Sequence, residues 1–134
     1  MKNSARSFIY TTALPPSVAG SAIGALDYLQ KHPQAGQQVL TKAAAFRDEL
    51  QAAGIDCGAS QSQIVPVMVG DNQTTLEVAQ ELYENGLLAV AIRPPTVPEG
   101  TARIRCSTTN GHDRVDLSDA AAKIIQVFKT RKLL

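Results

Sequence analysis

The chain of 134 residues has no large surplus of charge of either sign, since 13 basic and 12 acidic residues give a formal net charge of +1. This balance gives no electrostatic reason to expect nucleic acid or an anionic membrane as a partner. Long apolar runs are also missing, and every run is far shorter than the roughly 20 residues that span a bilayer. The first ten residues, MKNSARSFIY, are polar and lack the apolar region of a signal peptide.

Cysteine is scarce as well. Cys57 and Cys106 are the only two, and neither belongs to a C-x-x-C pair or lies near a histidine cluster. This usage favours free thiols in a reducing compartment over a disulfide, and no metal site is expected. We therefore expect a cytoplasmic protein. With 44% hydrophobic and 19% charged residues, the composition is typical of one folded domain with a core.

The motifs of several enzyme classes do not occur. The sequence contains no glycine-rich phosphate loop, no G-x-S-x-G nucleophile segment and no histidine pair with metal-ligand spacing. Its lysines lie near the two termini or in or next to the predicted helices, and none is expected in an apolar pocket of the kind that activates a lysine as a nucleophile. By these criteria, the chain contains only about half of the residues of an active site.

Hydrophobic spacing predicts seven elements in the order ααβαββα, which indicates a small sheet with helices packed on it, an α/β or α+β fold. The predicted elements are a helix over residues 16–31, a helix ending near Gly54, a strand over 64–69, a helix from Asp71 to Gly86, strands over 88–92 and 102–107, and a helix beginning at His112-Asp113.

Three details of these elements can be tested. The apolar run IVPVMV predicts a strand covered on both faces, while Pro66 within it predicts an edge strand or a bulge. The helix after Asp71 is expected to bury Leu76, Ala79, Leu82 and Tyr83. The last helix is expected to bury Leu117, Ala121, Ile124, Ile125 and Phe128.

The segment AIRPPTVPEGTARIR, residues 91–105, is the first candidate site. Alternation on its strand places Arg103 and Arg105 on one face, where a guanidinium could bind a carboxylate through two parallel hydrogen bonds. The prolines restrict the preceding loop, and Thr96 lies at its centre. In the alternative interpretation, the arginines are ordinary surface residues and the prolines protect a sheet edge. Spacing alone leaves both open.

A second candidate is Thr11-Thr12, just before the first predicted helix. Two hydroxyls at a helix N-terminus could bind a phosphate, although ordinary capping by Thr12 explains the same pattern. The histidines, Asp71 and Asn72 are interpreted as turn or cap residues rather than as ligands.

Three segments, FIYTTALPPS, VPVMVGDN and AIRPPTVPEGTARIR, resemble in this order the C-terminal part of the α-oxoamine synthases. These are pyridoxal 5'-phosphate (PLP) enzymes of aminotransferase fold type I that condense an amino acid with an acyl thioester. The resemblance implies a connecting segment and helix over about residues 1–32 and a small α/β domain over about residues 33–134. The I-R-P-P-T-V-P segment is most similar to the branch that joins L-alanine to a pimeloyl thioester, on CoA or an acyl carrier, in biotin biosynthesis.

The resemblance also implies roles for the candidate residues. Arg105 would bind the carboxylate of the amino acid, and Thr96 would line the substrate pocket. Thr11 and Thr12 would reach the PLP phosphate of the other subunit of a homodimer. Arg103 receives no role.

The lysine that binds the cofactor lies upstream of these segments in the family. We therefore expect a truncated protein or gene fragment that has no catalytic residue of its own, binds no PLP covalently and is inactive alone. Two alternatives remain open. One is another α-oxoamine synthase, of the glycine C-acetyltransferase or 5-aminolevulinate synthase type, and the other is a non-catalytic interaction domain with the same fold.

Overall fold

The computed structural model describes residues 14–134, which form four helices and three strands in the predicted order. The elements are α1 (Pro16–Lys31), α2 (Ala35–Ala52), β1 (Ile64–Gly70), α3 (Asn72–Glu84), β2 (Val90–Ile92), β3 (Ala102–Ser107) and α4 (Arg114–Thr130). The chain divides into two compact units between Ala35 and Gly36. Every helix of this described part is too short or too polar to cross a membrane.

Helix α1 belongs to the first unit. Pro15 is its N-cap and Pro16 its first residue, a position where a missing N–H costs nothing because that group has no partner in a helix anyway. Lys31 lies in the last turn, where a cation complements the helix dipole. The helix buries no residue. Its large apolar side chains, Val18, Ile23, Leu26 and Leu29, are therefore exposed.

The second unit is built on an antiparallel sheet with the strand order β1-β3-β2. Because β1 lies at an edge, the edge position predicted from Pro66 is confirmed. The pairing of β1 with β3 shifts register between Met68 and Gly70. Gly70 has a φ of +93°, and a β-carbon there would lie 3.5 Å from the Gly100 carbonyl oxygen. This turn therefore suits glycine.

The core lies on one face of the sheet. It contains Phe46 and Leu50 of α2, Val65 and Val67 of β1, Val78 and Leu82 of α3, Ile104 of β3, and Ile124 and Phe128 of α4. The other face is open, and Ile64 and Val90 on it are 39% and 44% exposed. The prediction that β1 is covered on both faces is therefore wrong for the described residues. An apolar run reports the composition of both faces but not what packs on each of them.

Helix α3 begins as predicted, because the Asp71 carboxylate accepts a hydrogen bond from the Thr74 N–H at 2.7 Å. This hydrogen bond lowers the pKa of Asp71. The buried stripe is rotated by one residue from the predicted one and contains Thr75, Val78 and Leu82. Burial of Leu76 and Tyr83 was a wrong expectation, since they are 38% and 63% exposed. The Thr75 hydroxyl donates to the Asp71 carbonyl, which satisfies a polar group in a buried position.

Helix α4 begins with a capping box. The Asp113 carboxylate accepts from the Asp116 N–H at 2.8 Å, and the Asp116 carboxylate accepts from the Asp113 N–H at 3.0 Å. The helix buries Ala121, Ile124, Val127 and Phe128, while Leu117 and Ile125 are half-buried. Just beyond its end, Arg131 forms ion pairs with Glu77 and Glu81 of α3 at 2.8 and 2.7 Å.

Candidate functional site

The two arginines of β3 lie on the open face of the sheet. Ala102 and Ile104 are fully buried on the core face, so the alternation predicted for this strand is confirmed. Directly paired residues of antiparallel strands project to the same face. Arg105 is paired with Pro66 and Val90, and Arg103 is paired with Met68 and Ile92. Each arginine thus stands between two apolar side chains.

An open pocket of about 400 Å³ lies against this face, and both arginines and Thr96 line it. The structure therefore brings Thr96 and Arg105, which are nine positions apart in the sequence, to one surface. Val97 of the proline-rich loop and Ile92 of β2 provide apolar lining. A small ligand with one anionic group and an apolar part matches this combination of side chains.

The two arginines differ in their hydrogen bonds. Arg103 is half-buried, and its Nε donates to the Thr101 carbonyl oxygen at 2.9 Å. Arg105 is exposed and has no ion pair or side-chain hydrogen bond with any residue between 14 and 134. Its guanidinium has its donors available for an anion within the described part of the chain.

The proline-rich loop, residues 93–101, contains two turns that are held by its own hydrogen bonds. At its start, the Thr96 N–H donates to the Arg93 carbonyl oxygen at 3.0 Å. At its end, the Thr101 N–H and hydroxyl both donate to the Pro98 carbonyl oxygen, at 3.2 and 2.7 Å. The Pro94–Pro95 peptide bond is cis. The loop lines the pocket through Thr96 and Val97.

Sequence reasoning missed Ser60 and Ser62, which line the same pocket from the loop before β1. Both hydroxyls are within hydrogen-bond distance of the Ile64 carbonyl oxygen, so they also shape the entry into the strand. The only sequence signal was a polar loop directly before an edge strand. The approach of this loop to the arginines depends on strand order, which spacing within a segment does not report.

The remaining predicted candidates lie elsewhere. Thr11 and Thr12 fall outside the described residues. Asp71 is a helix cap, and the Nδ1 of His112 accepts from the Thr109 N–H at 3.2 Å in the turn before α4. Among residues 14–134, no group of three histidine, cysteine, aspartate or glutamate side chains could hold a metal ion.

A second and separate cavity, of about 260 Å³, lies near the start of α4 and is lined by Phe46, Leu87, Cys106 and His112 among others. None of the predicted site residues lines this cavity. Lys123 is a lining residue, and its ammonium group is paired with the Asp119 carboxylate at 2.7 Å.

The fold and the site together define a class. The small antiparallel sheet with helices on one face matches part of a fold type I PLP enzyme, and the arginine pair and the proline-rich loop lie on the other face. A serine palmitoyltransferase variant from S. paucimobilis with a bound PLP–myriocin aldimine superimposes with a TM-score of 0.91 at 26% identity, over 99% of this chain and 34% of that one. An 8-amino-7-oxononanoate synthase from Francisella tularensis shares the fold, with a TM-score of 0.78 at 22% identity over 98% of this chain and 38% of that one.

The sequence pattern of the family described as Aminotransferase class I and II matches residues 1–124, and the chain belongs to this family. A relative from Magnetococcus marinus is 48% identical over 122 residues, which are 91% of this chain and 31% of that protein. A relative from Bacillus mycoides is 40% identical over 134 residues, which are 100% of this chain and 34% of that protein. Both are named "Putative 8-amino-7-oxononanoate synthase".

These comparisons confirm the resemblance to α-oxoamine synthases, the α/β fold class and PLP as the cofactor of the family. The chain spans about a third of the length of the curated relatives it matches. The assignment of residues 1–32 and 33–134 to two parts of a parent enzyme stays a prediction.

The pocket residues are suited to bind an amino-acid carboxylate but not to attach PLP covalently. No lysine among residues 14–134 lines the arginine pocket. Lys42 is engaged elsewhere, since its ammonium group donates to the carbonyl oxygens of Asn110 and His112 at 2.7 Å each. The donors in the pocket thus suit the carboxylate of an amino acid held by the cofactor and do not suit covalent attachment of PLP.

Proposed function

We propose that this chain is the C-terminal part of an 8-amino-7-oxononanoate synthase, a PLP-dependent C-acyltransferase of biotin biosynthesis. The enzyme would join L-alanine to a pimeloyl thioester, on CoA or an acyl carrier, with loss of carbon dioxide. The observation on which this proposal depends is the pocket shared by Arg105 and Thr96 on the open face of the sheet. The names of the curated relatives support the choice of reaction.

Arg105 would bind the carboxylate of the amino acid. Its planar guanidinium can form two parallel hydrogen bonds to a carboxylate, which fixes the orientation of the substrate as well as its position. The flanking Pro66 and Val90 present no competing acceptor. Once the pocket is covered, the lower local dielectric strengthens the ion pair.

Thr96 would form the side of the pocket on the proline-rich loop. Because hydrogen bonds to the Arg93 and Pro98 carbonyl oxygens hold two turns of this loop, little entropy would be lost when a substrate packs against it. PLP, when bound, supplies an electron sink for the bonds broken at the α-carbon of the amino acid. The described residues of this chain would hold and orient the substrate beside it.

The upstream part of the enzyme would provide the lysine that binds PLP. Thr11 and Thr12 would contact the PLP phosphate of the partner subunit in a cytoplasmic homodimer. Translation of the gene upstream of Met1 tests this directly. We expect a lysine motif with a preceding serine or threonine and following glycines, whereas an unrelated upstream sequence would favour a non-catalytic interaction domain.

Product analysis of the full-length enzyme tests the reaction. With L-alanine and pimeloyl-CoA, we expect 8-amino-7-oxononanoate and one carbon dioxide per turnover. Glycine and serine, each offered with short and long acyl thioesters, are the matched competitors. A preference for either of them would contradict the proposal and assign the chain to another α-oxoamine synthase.

Substitution of Arg105 tests the site. In the full-length enzyme, we expect Arg105→Ala to weaken L-alanine binding by about 2–5 kcal/mol, because a charge-assisted pair is lost at a site covered by the rest of the enzyme. Spectroscopic titration of the bound cofactor with L-alanine measures this affinity. Arg114→Ala, at an exposed arginine that begins α4, is the control and should bind L-alanine normally. Unchanged affinity in Arg105→Ala would refute the assigned role.

A further inference from the structure

Arg103 and Arg105 share a strand, a face and a pocket, but only one of them is bonded within the described residues. Arg105 has no polar partner there, whereas Arg103 donates from Nε to the Thr101 carbonyl oxygen at 2.9 Å. Arg103 is also the more buried of the two. Two arginines of equal charge in one pocket therefore have different surroundings.

Thr101 is the last residue of the proline-rich loop and the residue directly before β3. Its N–H and hydroxyl both donate to the Pro98 carbonyl oxygen, and its own carbonyl oxygen accepts from Arg103. Every polar group of Thr101 is thus bonded. The side chain of Arg103 is hydrogen-bonded to the residue at which the loop joins the strand.

The position of Arg103 on the sheet is itself defined. It is paired with Met68 on one side and Ile92 on the other, at the end of β2 from which the loop departs. Loop and guanidinium therefore begin from the same end of the sheet, and Thr96 and Arg103 line the pocket together.

We propose that Arg103 is a positioning residue, which holds the proline-rich loop through Thr101 so that Thr96 faces the pocket beside Arg105. Arg103 would act through the hydrogen bond from Nε and not through its charge. The part of this inference that concerns substrate rests on the proposed function, whereas the part that concerns the loop does not.

Two substitutions separate the hydrogen bond from the charge. Glutamine places its amide nitrogen the same number of bonds from Cα as the Nε of arginine, so Arg103→Gln keeps a neutral donor for the Thr101 carbonyl. Methionine has similar length and no donor, so Arg103→Met loses both the bond and the charge. Arg105→Met removes an equal charge from the same face and leaves the Arg103–Thr101 bond intact.

The first measurement is amide hydrogen exchange at Thr96 and Thr101, by nuclear magnetic resonance on the 134-residue chain. We expect roughly fivefold faster exchange at both amides in Arg103→Met, the effect of losing one net hydrogen bond that holds the loop. Arg103→Gln should stay within about twofold of the unsubstituted chain, as should Arg105→Met. Unchanged exchange in Arg103→Met, or equally fast exchange in Arg103→Gln, would overturn the proposal.

The second measurement is steady-state kinetics of the full-length enzyme. We expect Arg103→Met to raise the KM for the amino acid roughly fivefold and Arg103→Gln to restore most of that loss. If both variants were equally impaired, the charge of Arg103 would bind substrate directly and the positioning role would be wrong. If the unsubstituted enzyme made another product, the proposed function would fail, while the exchange result would still decide the role of Arg103 in the loop.

Discussion

At the scale of single residues, burial determines what the two thiols can do. Desolvation raises the pKa of Cys57 from 9.0 to about 11, and the nearby Asp56 carboxylate adds to the effect. Desolvation likewise raises the pKa of Cys106 from 9.0 to about 12, with a further contribution from Cys57. Both thiols are free in the structure. Because the thiolate is the reactive form, both should be inert near neutral pH in the folded chain.

These raised pKa values predict how stability depends on pH. Below about pH 9 the thiols are protonated in both states, so their contribution is fully present. As pH rises above 9, the unfolded chain ionises its thiols while the folded chain cannot, and stability is lost up to pH 11–12. We expect a loss of roughly 1 kcal/mol per pH unit for each thiol, measured by urea unfolding from pH 8 to pH 11.

The variant Cys57→Ala/Cys106→Ala is the reference for this measurement. Tyrosines and lysines titrate in the same range in both proteins, so only the difference between the two pH profiles reports on the thiols. Parallel profiles would mean that the thiols ionise equally easily in the folded and unfolded states, contrary to the expectation.

At single residues, prediction from sequence was correct where the two-residue period of a strand alone decides the face of a side chain. Alternation along β3 correctly separated Arg103 and Arg105 from Ile104, because a strand has a period of two whatever surrounds it. The bond between Arg103 and Thr101 was not predictable, since it depends on the path of the loop before the strand. Ser60 and Ser62 were missed for a similar reason, because strand order brings them to the pocket.

At the scale of elements, local signals set the starts of the helices. Asp71 and Asp113 both cap as predicted, because a cap requires only contacts within one turn. Helix faces were less predictable, and α3 buries Thr75 in place of Leu76. The Thr75 hydroxyl donates to the Asp71 carbonyl oxygen, so this polar residue can be buried although hydrophobicity predicted burial of Leu76.

The capping box of α4 should contribute measurably to stability. We expect Asp113→Ala to lower the free energy of unfolding by about 1 kcal/mol, because the Asp116 N–H loses its acceptor. Chemical denaturation at pH 7 measures it. Asp119→Ala, which breaks only the exposed pair between Asp119 and Lys123, should cost less than about 0.5 kcal/mol. Equal losses in the two variants would show that the box has no special role.

At the scale of the whole molecule, the second unit contains the core and α1 contains no buried residue. We therefore expect residues 33–134 to unfold at the same urea concentration as the full chain. Removal of residues 114–134 should instead prevent folding, because Ile124 and Phe128 of α4 belong to the core. A clear drop in the midpoint for residues 33–134 would show that the first unit stabilises the second.

The proposed function gives a further expectation for the whole chain. After incubation with PLP and reduction by borohydride, peptide mapping should find no single lysine labelled stoichiometrically, because no lysine of the described residues lines the arginine pocket. The full-length enzyme, treated identically, should be labelled at one lysine upstream of Met1. Stoichiometric labelling of one lysine in the 134-residue chain would mean that this chain forms a cofactor site of its own.

The residues of strand β3 alternate between two environments. Ala102 and Ile104 pack in the core, and Arg103 and Arg105 line the pocket. Substitution at a pocket position can therefore change what is bound without changing what is packed. Insertion or deletion of one residue would exchange the two sets, placing a guanidinium in the core and an isoleucine in the pocket. Under the proposed function, substrate preference can evolve in β3 by replacement, while the length of the strand has to stay constant.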